Sequence, residues 1–153
     1  MAELRPFARK FIAGWGDMDF NAHMRNTAFL DRSADVRMMF FAERGFPMSE
    51  FARLRIGPVV LQDVVDYRRE VGLLEEIEVT VALAGLAPDG SRFAIRNEIR
   101  RSEGKLCATV SSSCGWLDLA ARKLVVPPAP LLDVLRALPR SNDFASLPSG
   151  REK

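Results

Sequence analysis

The sequence predicts an α+β protein in which an antiparallel sheet of about five strands wraps around one long helix. In the first half of the chain, apolar residues recur at helical spacing over residues 27–44. The second half alternates apolar and polar residues in several short segments, as half-buried strands do. Because this helix and this sheet each present an apolar surface, the simplest arrangement packs one against the other.

The first half of the chain predicts one strand and two helices. Residues 7–15 mix apolar and basic residues, end at Gly14 and Gly16, and are interpreted as a strand. The long helix at residues 27–44 has Asn26 as a plausible N-cap and Gly45 as the residue just past its end. A shorter helix is predicted at residues 49–54.

The second half predicts four further strands joined by short turns. Turn residues at 88–90 and 102–105 separate alternating segments, which is typical of an antiparallel meander. The predicted strands lie at residues 57–69, 76–83, 91–101 and 106–119.

The C-terminal region predicts a short helix and then a polar tail. Two prolines begin the helical segment at residues 127–138, a position that proline tolerates. Residues 139–153 are polar and carry further proline and glycine. We therefore expect residues 1–138 to form a single domain and residues 139–153 to form the tail.

The charge balance excludes some classes of partner. The chain of 153 residues has 22 basic and 20 acidic side chains, a net charge of +2, which is too balanced to indicate nucleic-acid binding. No apolar run approaches the roughly 18 residues of a membrane span. The N-terminal segment lacks the apolar core of a secretion signal.

The two cysteines and the single histidine indicate the cellular compartment and limit the metal sites that the chain could form. Cys107 and Cys114 lie an odd number of residues apart on one predicted strand, so they face opposite sides and cannot pair within a protomer. Two free thiols without a leader favour a cytoplasmic location. One histidine and two divergent cysteines cannot close a zinc site, so we expect no metal and no cofactor.

The segment from Trp15 to Asn26 holds the candidate site. It carries two carboxylates, two carboxamides and the only histidine of the chain, directly before the predicted long helix. The N-terminus of a helix offers unpaired N–H groups that bind an anion. Reactive polar groups at such a position indicate a binding or catalytic site.

Four short motifs in this region resemble the signature of the hotdog-fold thioesterases, in particular the 4-hydroxybenzoyl-CoA thioesterase-like superfamily. They are GDMD at residues 16–19, HMRN at 23–26, FL at 29–30 and DVR at 35–37. The chain departs from the family pattern at three positions. Arg25 stands where a second asparagine is usual, Phe29 where tyrosine is common, and Asp35 where glutamate is common.

The resemblance implies a hotdog fold and hydrolysis of an acyl-CoA thioester. Asp19 matches the family carboxylate that acts as nucleophile or as general base on water. The backbone N–H at or near Asn26 would donate to the thioester oxygen, and His23 would orient water, hold Asp19 or donate to the substrate. The candidate catalytic residues are therefore Asp19, His23 and Asn26.

The candidate substrate-binding residues are Asn21, Arg25, Phe29 and Asp63. Asn21 and Arg25 belong to the motif loop, and Phe29 is one of several large apolar residues that suggest either a cavity or core packing. Asp63 lies on the second predicted strand and is kept in reserve, because some thioesterases of this fold place the carboxylate elsewhere.

Structural interpretations compete with these assignments. Asn26 is as consistent with helix capping as with catalysis, and Asp17 is better explained by a turn. A serine triplet at residues 111–113, or Cys114, would form a nucleophilic site only if the fold brought it to His23. An arginine stripe at Arg92, Arg96 and Arg100 suits either the phosphates of CoA or a solvated sheet face.

Several functions remain open at this stage. The first is an acyl-CoA thioesterase; others are a non-catalytic acyl-CoA-binding protein, a hydrolase of acyl carrier protein thioesters, and a dehydratase or isomerase. The last is disfavoured because Asp19 and His23 share one short loop instead of facing each other across a substrate. The resemblance also implies a homodimer or homotetramer whose site lies between protomers.

Overall fold

The computed structural model describes residues 7–150, which form one mixed sheet and three α-helices. Residues 1–6, part of the segment considered above for a secretion signal, and residues 151–153 of the predicted tail lie outside the described residues. In chain order the elements are β1 (Phe7–Ile12), α1 (Asn26–Glu43), α2 (Met48–Leu54), β2 (Ile56–Tyr67), β3 (Glu76–Leu86), β4 (Arg92–Arg101), β5 (Leu106–Asp118), β6 (Lys123–Val125), α3 (Ala129–Arg136) and β7 (Arg140–Ser146).

The sheet follows the order β1-β3-β4-β5-β2, and every neighbouring pair on this path is antiparallel. The strand β2 pairs with β5 over its whole length, from Ile56 opposite Asp118 to Tyr67 opposite Ala108. The predicted α+β architecture, a five-stranded sheet around one long helix, is confirmed. The described residues add two strands that the sequence did not predict, β6 beside β5 and β7 beside β3.

The predicted polar tail contains β7 (Arg140–Ser146), a strand that the sequence pattern did not predict. This strand runs parallel to β3, and the Leu147 N–H donates to the Leu86 carbonyl at 3.0 Å. The pairing uses main-chain groups at a sheet edge, while most side chains of β7 stay exposed. A strand held by main-chain hydrogen bonds needs no alternation of apolar and polar residues. The sequence pattern of residues 140–146 therefore did not predict a strand.

Helix α1 provides the hydrophobic centre of the fold. Its buried side chains recur at helical spacing, and the helix packs against β1, β3 and β5. The N-cap residue is Arg25, not Asn26, which is the first residue of the helix. Gly45 follows the helix with a left-handed φ of +94°, as predicted for a residue that ends a helix.

The core is built around Trp116 of β5. Its ring lies 5.8 Å from that of Phe41 on α1, 5.0 Å from that of Phe93 on β4, and 6.2 Å from that of Phe51 on α2. Trp116 is fully buried, and such aromatic contacts add to the free energy gained from burial alone. These contacts fix α1 against the sheet and therefore set the position of its N-terminus relative to the strands.

The buried carboxylate of Asp17 ties the loop before α1 to the helix. It accepts a hydrogen bond from the Gly14 N–H at 2.9 Å, and Nη2 of Arg32 donates to both of its oxygens, at 3.1 and 3.0 Å. Burial acts to raise the pKa of Asp17, but the Gly14 hydrogen bond and the Arg32 charge outweigh it, and the pKa lies below its ordinary value. The interpretation of Asp17 as a structural turn residue is confirmed.

Asp17→Asn should lower the free energy of unfolding by about 1–3 kcal/mol at neutral pH, because it removes charged hydrogen bonds from a buried group. The native pKa of Asp17 is depressed, so its stabilising effect is complete above the ordinary carboxyl value of 3.8 and disappears as the pH falls through the native pKa. Urea unfolding at several pH values should show wild type and variant converging in acid. Asp31→Asn, which removes an exposed partner of Arg25, should cost less than about 1 kcal/mol; an equal cost would contradict this assignment.

Candidate active site

The loop between β1 and α1 forms a small hairpin that carries the motif residues. Met18 and Met24 pair across it, and the Asp19 N–H donates to the His23 carbonyl at 2.8 Å. The Met24 N–H donates to the Val71 carbonyl at 2.7 Å, which anchors the hairpin to the segment before β3. The hairpin thereby holds Asp19 and His23 beside the start of α1.

The carboxylate of Asp19 is oriented by the backbone of its own loop. Its Oδ1 accepts hydrogen bonds from the N–H of Asn21 at 2.8 Å and from the N–H of His23 at 3.3 Å. Between these donors, Ala22 adopts a left-handed φ of +64°, a conformation that costs a non-glycine residue about 1–2 kcal/mol. Asp19 is exposed, and its Oδ2 has no hydrogen-bond partner within residues 7–150. One oxygen is thus held while the other is available for chemistry.

The imidazole of His23 is paired with a carboxylate that sequence reasoning missed. His23 Nε2 lies 3.0 Å from Oε2 of Glu70, which follows the end of β2. A carboxylate at this distance orients the imidazole ring. His23 is partly exposed, so its ring remains within reach of a bound molecule.

The N-terminus of α1 has no side-chain cap. Arg25 occupies the N-cap position without a capping hydrogen bond, and the N–H groups of Asn26 and Thr27 have no acceptor within the described part of the chain. Unpaired N–H groups together with the helix dipole create a positive potential at this point. The site therefore combines an oriented carboxylate with a set of free donors.

Tyr67 of β2 closes one side of the site. Its hydroxyl donates to the carbonyl of Asn26 at 3.1 Å, and its ring packs edge-on against Phe29 with the centroids 5.6 Å apart. Burial of part of the phenol raises the pKa of Tyr67. Since Tyr67 belongs to β2, it links the first turn of α1 to the edge of the sheet.

These groups line one cavity of about 470 Å³. Among the sequence-predicted residues, the structure brings together Asp19, Asn21, His23, Asn26 and Phe29. The side chains that sequence reasoning did not assign to the site are Met24, Tyr67, Arg68, Arg69 and Glu70. Tyr67 is the only tyrosine of the chain and stands at the end of a predicted strand, which is the one signal that pointed to it.

Two predicted substrate-binding residues lie outside this cavity. The guanidinium of Arg25 donates to the Gly16 carbonyl and to Thr27 Oγ1, and pairs with Asp31. Asp63 accepts a hydrogen bond from Ser112 further along β2. Arg25 therefore supports the hairpin, and Asp63 belongs to a separate polar cluster.

The serine-based alternative does not assemble in the structure. Ser112 donates to Asp63 and accepts from Arg37, while the ring of His23 pairs with Glu70. Cys107 and Cys114 are both free and buried. Burial raises the pKa of the Cys114 thiol to about 11, so this thiol is protonated at neutral pH. Within residues 7–150, no cluster of three or more His, Cys, Asp or Glu side chains is arranged to hold a metal ion.

A larger depression, about 570 Å³, lies on the sheet face away from α1 and includes Arg96 and Arg100. Arg96 pairs with Asp143 of β7, and Arg100 pairs with Glu98 at 2.5 Å. Alternation does place the arginine stripe on one face, but neighbouring carboxylates compensate these two charges. The smaller cavity at the start of α1 is the better candidate because it contains the oriented carboxylate and the free donors.

The family comparison agrees with the geometry of this site. A model of the thioesterase-like superfamily matches residues 13–137, which include the hairpin, α1 and the strands β2 to β6. The chain belongs to the thioesterase-like superfamily. No curated protein sequence matches it.

Solved structures share the hotdog fold of this superfamily member at low sequence identity. A hypothetical protein from Staphylococcus aureus, solved in complex with CoA, aligns with a TM-score of 0.80 and 17% identity over 93% of this chain and 91% of its own. The 1,4-dihydroxy-2-naphthoyl-CoA thioesterase from Synechocystis aligns with a TM-score of 0.77 and 15% identity, covering 88% and 98%. The dynemicin thioesterase aligns at 0.79 and 18%, covering 90% and 99%. These likenesses show the fold alone.

None of the helices within residues 7–150 is both long enough and apolar enough to cross a bilayer.

Tyr67→Phe should lower the free energy of unfolding by about 0.5–1.5 kcal/mol, because it removes the hydroxyl that donates to Asn26 and keeps the ring on Phe29. Tyr67→Ala should cost more, since it also removes an aromatic pair worth about 0.5–1.5 kcal/mol. Chemical denaturation measures both. Equal costs for the two variants would show that the ring contact contributes nothing.

Proposed function

We propose that this protein is an acyl-CoA thioesterase that hydrolyses an acyl thioester to the free acid and CoA. The observation that carries the proposal is the uncapped N-terminus of α1, which opens into the same cavity as the oriented carboxylate of Asp19. Membership of the thioesterase-like superfamily supports the reaction class. A related fold solved in complex with CoA supports the carrier.

The helix N-terminus is the proposed oxyanion site. When a nucleophile adds to a thioester, negative charge develops on the carbonyl oxygen, and donors already in place stabilise it. The N–H groups of Asn26 and Thr27 are free to act in this way, and Tyr67 holds the Asn26 carbonyl on the other side of the peptide. Loss of one comparable donor in other enzymes costs about 3–4 kcal/mol.

Asp19 is the proposed catalytic carboxylate. With Oδ1 held by two N–H groups, Oδ2 either removes a proton from water or attacks the carbonyl carbon directly. In the first case hydroxide adds to the carbon, the C–S bond breaks, and the departing thiolate takes up a proton. In the second case the C–S bond breaks as a mixed anhydride forms, the departing thiolate takes up a proton, and water then hydrolyses the anhydride to the free acid and the Asp19 carboxylate.

His23 is the proposed donor or water-positioning group, with Glu70 as its positioning residue. The pair brings a second polar group to the cavity that contains Asp19. Asn21 contributes its backbone N–H to Asp19 and lines the same space.

Asp19→Asn should reduce kcat/KM at least about a hundredfold, because the carboxamide neither accepts a proton nor attacks the carbonyl. A panel of acyl-CoA esters with detection of the released thiol measures the effect. Asp133→Asn on exposed α3 is the matched control and should retain full activity.

The outcomes separate the candidate functions. Equal rates for wild type and Asp19→Asn would assign the chemistry to another group. Binding of acyl-CoA esters without release of thiol would favour the non-catalytic binding protein. Turnover of acyl carrier protein thioesters but not of CoA esters would change the carrier and leave the reaction class intact.

We also propose that two copies join at the free edge of β2. This strand pairs with β5 on one side, and Val60, Leu61 and Val64 on it are 46–52% exposed. An exposed, apolar edge strand readily pairs with another chain. The homodimer is the unit that this edge supports; a homotetramer would require a further surface. The two buried free thiols are consistent with a reducing compartment such as the cytoplasm.

Val64→Lys should weaken or abolish this association, because a charge on the edge strand opposes edge-to-edge pairing. Sedimentation velocity measures the mass of each variant. Val126→Lys makes the same change at a site of similar exposure, 55%, away from β2 and should leave the mass unchanged. A wild-type monomer, or a dimer indifferent to the Val64 change, would contradict the β2 interface.

A further inference from the structure

A second cavity lies between the sheet and the C-terminal half of α1. Its volume is about 200 Å³, several times the roughly 30 Å³ that a water molecule occupies in the liquid. Its wall consists mainly of apolar side chains from α1, β2, β4 and β5, among them Met38, Phe41, Val60, Ile95 and Cys114. Arg37 of α1 is the one charged residue among those that line it.

Arg37 is a buried residue, 9% exposed, and its guanidinium is held from two sides. Its Nε donates to Asn97 Oδ1 at 2.8 Å, and one Nη nitrogen, Nη2, donates to Ser112 Oγ at 2.7 Å. Ser112 in turn donates to Asp63, and Asn97 donates to the Thr80 carbonyl at 3.0 Å. These contacts fix the plane of the guanidinium, so its position is set before any ligand binds.

The charge of Arg37 has no carboxylate in direct contact. Asp63 reaches it only through the Ser112 hydroxyl, and Nη1 makes no hydrogen bond within residues 7–150. Burial lowers the pKa of Arg37, although an arginine remains protonated at neutral pH. A buried charge without a direct partner is costly, and an acceptor that reaches Nη1 would reduce that cost.

We propose that this cavity receives the far end of the acyl group and that Arg37 selects acyl thioesters that carry an oxygen acceptor, a carboxylate or a hydroxyl, at that end. The inference rests on the proposed thioesterase function and names its substrate class. The thioester lies at the start of α1, the chain of the acyl group lies against α1 and β2, and the terminal oxygen accepts from Nη1 of Arg37.

The spacing of the two cavities is compatible with one acyl group. Tyr67 at the first cavity and Asp63 at the Arg37 cluster are four residues apart on β2, which corresponds to about 13 Å. Long side chains on a helix generally lean toward its N-terminus, which for Arg37 is the direction of the first cavity. An acyl group of medium length is therefore required, and a short one would leave Arg37 without a partner.

A purely structural role for Arg37 makes a different prediction. If the guanidinium only fastens α1 to Asn97 and Ser112, its loss weakens the protein and lowers turnover of every thioester by the same factor. If it binds the end of the acyl group, its loss changes the ratio between oxygenated and plain substrates. The ratio is therefore the quantity to measure.

The experiment compares kcat/KM for matched CoA thioesters in the full-length protein. The pairs are succinyl and butyryl, adipoyl and hexanoyl, suberoyl and octanoyl, and sebacoyl and decanoyl, with the ω-hydroxyacyl ester at each length. We expect an oxygenated ester of medium length to be favoured at least about tenfold over its plain partner, the size of one charge-assisted hydrogen bond. Arg37→Met should bring the ratio to within about twofold, and Arg53→Met, the same change on exposed α2, should leave it unaltered.

Arg37→Lys is the second variant, for use if Arg37→Met does not fold. It keeps the positive charge but loses the planar guanidinium that donates to two partners at once. A reduced ratio in Arg37→Lys supports the proposal. Robust turnover in wild type with no preference for oxygenated esters at any length overturns the proposal and leaves the thioesterase function standing.

If no thioester is hydrolysed, the proposed thioesterase function is wrong. Calorimetry with the same esters then tests whether Arg37 at the second cavity binds the terminal oxygen of the acyl group. Tighter binding of the oxygenated ester, lost in the Arg37 variants, supports the assignment of Arg37; equal binding of both members of every pair overturns it.

Discussion

The position of helix α1 against the sheet is the constraint on which the rest of this structure depends. The helix is held by the aromatic contacts among Trp116, Phe41 and Phe93. Its N-terminus supplies the free N–H groups of the candidate site. A shift of one helical turn would move those donors by about 5 Å, well beyond hydrogen-bond reach of a substrate oxygen. Dense packing of large aromatic side chains resists such a shift.

The same helix also carries polar groups into the core, and they differ in how completely they are compensated. Asp17 and Arg32 form a direct ion pair at the loop that bears the motif. Arg37 instead has neutral partners, Asn97 and Ser112, and an aspartate only beyond the serine. The Asp17–Arg32 ion pair is suited to holding the loop. Arg37 instead keeps a hydrogen-bond donor free beside an apolar cavity.

Sequence reasoning located most of the candidate site because its residues are close in the chain. Asp19, Asn21, His23 and Asn26 occupy one short loop, so their proximity follows from chain connectivity. Tyr67 and Glu70 were missed because they reach the site through β2, and a strand pattern does not reveal which loop its end will meet. Arg25 and Asp63 were predicted for the site, but their side chains find partners elsewhere, at Gly16 and at Ser112.

The amino-acid pattern by itself determined the α+β class, the long helix, the five principal strands and the loop that carries the candidate site, because periodicity and local motifs are properties of neighbouring residues. Only the tertiary structure decided that Arg25 and not Asn26 occupies the N-cap position of α1, that the polar C-terminal segment adds β7 to the edge of β3, and that Glu70 faces His23. These features depend on contacts between segments far apart in the chain, where hydrogen bonding and packing choose among partners that local sequence leaves equivalent.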